Sequence, residues 1–262
     1  MTNELKIAIL SDKSASGCCY AEHGLSYLVF ADKPILFDTG ASDLFLHNAK
    51  KMNINLDNVD TVVLSHGHYD HGNGLQYIEG KTIVTHPNAF VQRISERSGK
   101  NISVAPSRSS IAQRNTIIET VDCYWLSQRV VFLGEIPRCV DFEQMGSATF
   151  HFTDGQPDIV IDDSGIAVIT SRGLFVISGC AHAGICNTIE HARKVTGIDK
   201  VYAVMGGFHL THNNARLQAT IQYFKNIGVE VVMPAHCTSL EAQSQFFQHF
   251  RCVEVKTGMI IE

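Results

Sequence analysis

The chain has 262 residues, 45% of them apolar and 18% charged, with a formal net charge of -5. That balance suits a folded chain with a large core and excludes a disordered one. Lys and Arg are scattered and no run approaches the ~20 apolar residues of a membrane span, so neither a nucleic-acid nor a membrane partner is expected.

Met1–Lys6 shows no basic stretch followed by an apolar signal core, and the expected setting is cytoplasmic. Cys18, Cys19, Cys123, Cys139, Cys180, Cys186, Cys237 and Cys252 form no C-x-x-C pair, and reduced thiols are expected rather than a disulfide framework.

Short strands are predicted at Lys6–Leu10, Leu25–Ala31 and Ile35–Phe37, the last running into Asp38-Thr39-Gly40. Ser42–Met52 has helical spacing, with Ser42 as the expected N-cap. Val59–Leu64 reads as a buried strand that feeds directly into Ser65-His66-Gly67-His68-Tyr69-Asp70-His71-Gly72-Asn73-Gly74, and Lys81–Thr85 follows as another strand. From 86 to 155 the pattern is irregular, broken by Pro87, Pro106 and Pro137, with one strand near Val130–Leu133. This region is expected to be an insertion or lid within a single domain of residues 1–262. Beyond it, Ile166–Thr170 and Leu174–Ile177 form a predicted hairpin. Helices are expected at Ile185–Val195, Asn214–Ile227 and Ser239–Phe250, with strands at Val201–Val204 and Val229–Met233.

His66, His68 and Asp70 occupy alternate positions after a strand, so in extended backbone their side chains point the same way. His66 and His68 can therefore close on one metal. His71 is out of phase and reaches a second position only if the chain turns, which Gly67, Gly72 and Gly74 permit. Packing gives no reason to crowd these groups at a strand end. Imidazoles with a carboxylate suit zinc, and also iron or manganese. His182 and His236 likewise follow predicted strands, and ligand sites in α/β sheets gather at such ends.

His66-Gly67-His68-Tyr69-Asp70-His71 resembles the H-x-H-x-D-H signature of the metallo-β-lactamase-fold superfamily. Asp38 and the later His182 and His236 are similar to its other motifs, in the same order. The resemblance implies an α/β fold, an αββα sandwich of two mixed sheets flanked by helices. It implies two divalent metal ions, one on His66, His68 and His182 and the other on Asp70, His71 and His236. Asp38 would orient the ligand loop from behind. Many members also carry a metal-bridging Asp at the place that here reads Val204-Met205-Gly206-Gly207-Phe208-His209-Leu210, which holds no carboxylate. His209 stands there as a candidate acid, phosphate contact or substitute ligand, or as a buried histidine with a structural role.

Glu22-His23-Gly24-Leu25-Ser26, Gly134-Glu135-Ile136-Pro137-Arg138 and Gly179-Cys180-Ala181-His182-Ala183-Gly184-Ile185 resemble a branch named for 7,8-dihydropterin-6-ylmethyl-4-(β-D-ribofuranosyl)aminobenzene 5′-phosphate synthase. That implies a hydrolase or transferase acting on a small phosphorylated or ester-like metabolite, with dihydropterin diphosphate condensation as one form. Asp70 could exchange a proton as well as bind metal, and Arg138 could contact an anionic substrate or be a surface arginine. Cys180 and Cys237 could line the pocket or join the metal shell, or be small buried residues. The alternatives are a di-iron redox enzyme of the same fold and a metal-binding sensor without turnover. A small-molecule substrate and a homodimer complete the expectation.

Overall fold

Strict alternation of apolar side chains along the strands decides the layering. In Lys6–Ser11, Ile7 and Ile9 face one way, and Ala8 and Leu10 the other. The pattern repeats in Ser26–Phe30, where Tyr27 and Val29 oppose Leu28, and in Gly173–Ser178, where Phe175 and Ile177 oppose Leu174 and Val176. Every such strand is apolar on both faces, so its sheet must be covered twice. The computed structural model describes residues 5–143 and 150–262, and among these the chain solves the problem by stacking two sheets and covering each outer face with helices.

The first sheet runs, in spatial order, Ile260–Ile261, Lys6–Ser11, Ser26–Phe30, Pro34–Phe37, Thr61–Val63, Thr82–Thr85 and Thr116–Glu119. The second runs Arg251–Cys252, Val231–Ala235, Val201–Gly207, Gly173–Ser178, Gly165–Thr170, Val130–Phe132 and Tyr124–Trp125. Both mix parallel and antiparallel pairs. The shared core between them contains Ile9, Tyr27, Phe37, Val63, Ile177, Met205 and Met233. The outer face of the first sheet packs with Phe45 and Ala49 of the helix Leu44–Lys51. That of the second packs with the helices Ile185–Thr196, Ala215–Ile227 and Leu240–His249. This is the expected αββα sandwich, and no helix of the described residues is long and apolar enough to cross a membrane.

The helix ends follow local chemistry. Ser239 accepts from the Ala242 amide at 3.1 Å, and Asn214 from that of Leu217 at 3.1 Å, while Gly197 and Gly228 end their helices at φ 69° and 73°. Ser42 departs from expectation. Its hydroxyl donates to Glu22 Oε2 at 2.6 Å, and the helix begins one residue later, after Asp43.

The region 86–155, of which 144–149 lie outside the described residues, is built into the sheets. Thr116–Glu119 extends the first sheet, and Tyr124–Trp125 and Val130–Phe132 extend the second. Arg93–Ser95 and Phe150–Phe152 join Pro157–Asp158 in a small third sheet. These strands are two to four residues long, too short to show a period of two in sequence.

The aromatic cluster under the last helix is a test of this packing. Phe246 lies 5.6 Å from Phe208 and 5.7 Å from Phe224 between ring centroids, fully buried. Phe246→Ala should lower the unfolding free energy by about 3–5 kcal/mol in urea titration, and a loss below ~1 kcal/mol would mean that the helix does not dock there.

Candidate metal centre

The strands Pro34–Phe37 and Thr61–Val63 run parallel, as do Gly173–Ser178, Val201–Gly207 and Val231–Ala235. Their carboxyl ends deliver Asp38, His66, His182, His209 and His236 to one edge of the sandwich. The backbone turns sharply there. Asp38, Ala181, His209 and His236 all have positive φ, at 57°, 52°, 49° and 46°. Non-glycine residues adopt that region at a cost, and such residues cluster at functional sites.

His66, His68 and His182 bring one ligand atom each within 4.8 Å of one another, as do His66, His71 and Cys180, and also His23, Asp70 and His236. All six residues expected as ligands are thus gathered. His66 Nε2 stands 3.0 Å from His68 Nδ1, and His71 Nε2 3.1 Å from His236 Nε2. Asp70 Oδ2 lies 3.3 Å from His236 Nε2 and 3.1 Å from His23 Nε2.

Hydrogen bonds fix which nitrogens are bare. Asp38, fully buried, accepts from the Ser65 amide, the Ser65 hydroxyl and His71 Nδ1, each at 2.7 Å. The Ser65 hydroxyl proton is thereby used, so His66 Nδ1, 2.9 Å from Ser65 Oγ, must be the donor in that contact. Both His66 and His71 then carry their proton on Nδ1 and present a lone pair at Nε2. His182 Nε2 is shielded and has no partner among the described residues. Burial, as the largest cause, pushes the pKa of His66 and His182 well down and that of His68 to about 3. The neighbouring imidazoles push His66 and His182 down further, while Asp70 pulls the other way. Burial raises the Asp70 pKa, yet His71, His23 and His236 outweigh it and hold the carboxyl well below the usual range. The bare Nε2 atoms of His66 and His71 and the unpartnered Nε2 of His182 thus offer lone pairs beside a carboxylate in one buried space. The donor set therefore fits divalent metal.

A buried scaffold holds the first histidine loop. Asp162 accepts from the Gly67 amide at 2.8 Å and from Arg93, which also donates to Asp158 at 2.6 Å. Arg93 is fully buried, far from its appearance in sequence as one of several scattered charges. Gly67 is required, because a Cβ there would sit 1.9 Å from the Ala89 carbonyl oxygen. The loop of His182 is held likewise. Arg138 donates to the carbonyls of His182 at 2.9 Å and Ile159 at 2.5 Å, and Asp163 accepts from the Ala183 amide at 2.9 Å. Arg138, expected to face substrate, thus spends donors on the backbone beside a candidate ligand.

His209 stands apart from the three groups of candidate ligands, its ring 4.5 Å from that of His182. Burial and Arg216 lower its pKa to about 4. His23, assigned no role from sequence, stacks on His236 at 5.2 Å with its side chain 49% exposed. The signal that could have exposed it is a polar His23 three residues before the strand that pairs with Pro34–Phe37, whose end supplies Asp38.

Residues 20–195 match the family model described as the metallo-beta-lactamase superfamily. The chain is 33% identical to a 7,8-dihydropterin-6-methyl-4-(beta-D-ribofuranosyl)-aminobenzene-5'-phosphate synthase of Methanocaldococcus jannaschii, with 88% of this chain and 86% of the relative covered. It is 30% identical to an uncharacterized protein of the same organism, over 97% of this chain and 99% of the other. A crystallised metal-dependent hydrolase of the beta-lactamase superfamily superposes with a TM-score of 0.88 and 30% identity, covering 99% of each chain. The chain belongs to the metallo-beta-lactamase superfamily.

Two outcomes test the site's construction. Arg93→Ala leaves Asp158 and Asp162 buried without their cation, and should cost about 3–5 kcal/mol of stability in denaturant titration. A variant as stable as the parent would sink the scaffold role. The second concerns acid. In metal-free protein the folded pKa values of His66, His68, His182 and His209 lie below the unfolded value of 6.5, so the unfolded chain binds more protons in that range. Their contribution to stability is complete above 6.5 and is lost as pH falls toward about 4 and about 3. His71, whose pKa is raised chiefly by Asp38 against the effect of its burial, opposes the four. The urea midpoint of metal-free protein should fall between neutral pH and about pH 5, and a flat profile would contradict the buried neutral imidazoles.

Proposed function

We propose that the protein is a metal-dependent hydrolase or transferase that acts on a small phosphorylated or ester-like metabolite through two divalent ions, zinc foremost, with manganese or iron as alternatives. The observation that carries this reading is the convergence of bare, buried imidazole nitrogens around Asp70 at one sheet edge. In it, His66, His68 and His182 hold one ion, and Asp70, His71 and His236 the other. Asp38 keeps His71 and Ser65 in the orientation this needs. The setting is cytoplasmic and the assembly a homodimer.

Bound ions of this kind supply Lewis acidity toward a phosphoryl or ester oxygen. The residues of the chain supply the rest. His23 is half-exposed and touches Asp70, so it can pass a proton between solvent and that carboxylate at the mouth of the site. His209 meets the substrate from the side of His182, and its low pKa keeps it a neutral hydrogen-bond partner. The ring of Phe150, 4.9 Å from His68 and 5.5 Å from His182, covers the two imidazoles and keeps water from them. A condensation that displaces diphosphate from a dihydropterin is the transferase form of the reading, supported by the likeness to the methanogen synthase. The likeness to the crystallised hydrolase supports the hydrolytic form.

Elemental analysis of the purified protein should find about two divalent ions per chain, and His68→Ala should lose at least one with about 10–100-fold or greater loss of metal affinity. Turnover of a phosphoester or pterin-diphosphate panel should disappear with it. Full metal content in His68→Ala would remove that residue from the centre, and no bound metal after add-back would undo the reading itself.

A further inference from the structure

We propose that Cys180 is a metal ligand, binding through its sulfur at the seam between the two imidazole groups. The inference rests on the metal-centre reading above and adds a residue to it. Cys180 Sγ lies 3.3 Å from His71 Nε2. It also falls within 4.8 Å of the ligand atom of His66, and His66 belongs to the His68 and His182 group as well. Sulfur thus stands beside both groups at once, where a single atom can reach an ion on either side.

Its packing separates it from an ordinary buried thiol. Cys186 is equally buried and belongs to the apolar cluster of Val176, Phe208 and Ile189. Cys180 belongs to none of the apolar clusters, although Ala181 and Ala183 beside it do. Its sulfur faces the His71 imidazole and the Cys237 thiol. The turn that aims it is strained, with φ of 52° at Ala181. Gly179 on its other side lets the chain approach Asp38 and Ser65, since a Cβ there would sit 2.1 Å from Ser65 Oγ.

Charge supplies the reason for a sulfur ligand. Two divalent ions bring four positive charges into a buried site. Asp70 is the lone carboxylate among the six proposed ligands, and the stretch Val204–Leu210 adds none. Uncompensated charge in such a place is expensive. A thiolate at Cys180 adds one negative charge inside the ligand shell. The step balances as loss of the S–H proton to solvent and formation of one sulfur–metal bond, with no change of oxidation state. Soft thiolate with imidazole also favours zinc and cobalt over magnesium or calcium.

The test uses the full chain loaded with zinc and, separately, with cobalt(II). X-ray absorption of the zinc protein should show a sulfur shell at about 2.3 Å beside the nitrogen and oxygen shells. The cobalt protein should show a sulfur-to-cobalt charge-transfer band in the near ultraviolet, absent from Cys180→Ser and retained in Cys237→Ser. Bound zinc without sulfur, or a band that survives in Cys180→Ser and vanishes in Cys237→Ser, overturns the proposal while the metal centre stands. Failure to bind either ion overturns both. If Cys180→Ser does not fold, the zinc spectrum of Cys237→Ser decides the matter, because a sulfur shell that persists there is assigned to Cys180 and one that vanishes overturns the proposal.

Discussion

The Asp38 carboxylate is the interaction on which the centre depends. It is fully buried and bonded to Ser65 twice and to His71 once. Its own carbonyl accepts from the Ser26 hydroxyl at 2.9 Å, and its amide donates to the Val63 carbonyl at 2.8 Å. One residue therefore ties three neighbouring strands together and sets the tautomer of two histidines. A charge-assisted hydrogen bond is roughly twice as strong as a neutral one, and in a dry site the geometry it imposes is stiff. The bare nitrogens follow from that stiffness. With the proton held at Nδ1 by a partner behind the ring, the lone pair at Nε2 has one direction left to face.

The sandwich was legible because the core strands are apolar on alternating faces and because capping residues mark the helix ends. Lys6–Ser11 and Gly173–Ser178 show the first kind of signal, and Ser239 and Gly228 the second. The cluster of candidate ligands was legible for a different reason. Four of its groups fall within six residues, and a density of that kind has no packing explanation. His182 and His236 were read from their place after strands, and the parallel pairing of those strands is what turns sequence position into convergence.

The parts that were not legible all depend on partners distant in sequence. Arg93 is 65 residues from Asp158 and 69 from Asp162, and its partners cannot be read from the residues around it. Arg138 was read as a candidate anion contact, and its hydrogen bonds to the carbonyls of His182 and Ile159 have no local sign in the sequence. The region 86–155 looked like an insertion because its strands are brief and take their identity from the longer strands they pair with. Thr116–Glu119 becomes a strand beside Thr82–Thr85, and Val130–Phe132 beside Gly165–Thr170.

The construction has a consequence for stability. Four non-glycine residues at the site hold positive φ, several imidazoles are buried neutral, and a buried arginine props the loop that carries two of them. The strained turns and the buried neutral imidazoles cost free energy without an ion, and binding of a cation to the folded state alone would offset that cost by mass action, while Arg93 is balanced by Asp158 and Asp162. The large shared core, with aromatic packing under the last helix, lies away from these ends and does not need the ion. Strain is therefore confined to the strand termini, while the layers that position them are conventional. Such a division lets the edge of the sandwich change its ligands, covering segment and substrate without altering the fold beneath. It also explains why Phe150 and the third sheet, rather than the two large sheets, reach over His68 and His182. The candidate ligands therefore stand at the ends of the sandwich strands, and the ring packed against two of them stands on a short, locally irregular one.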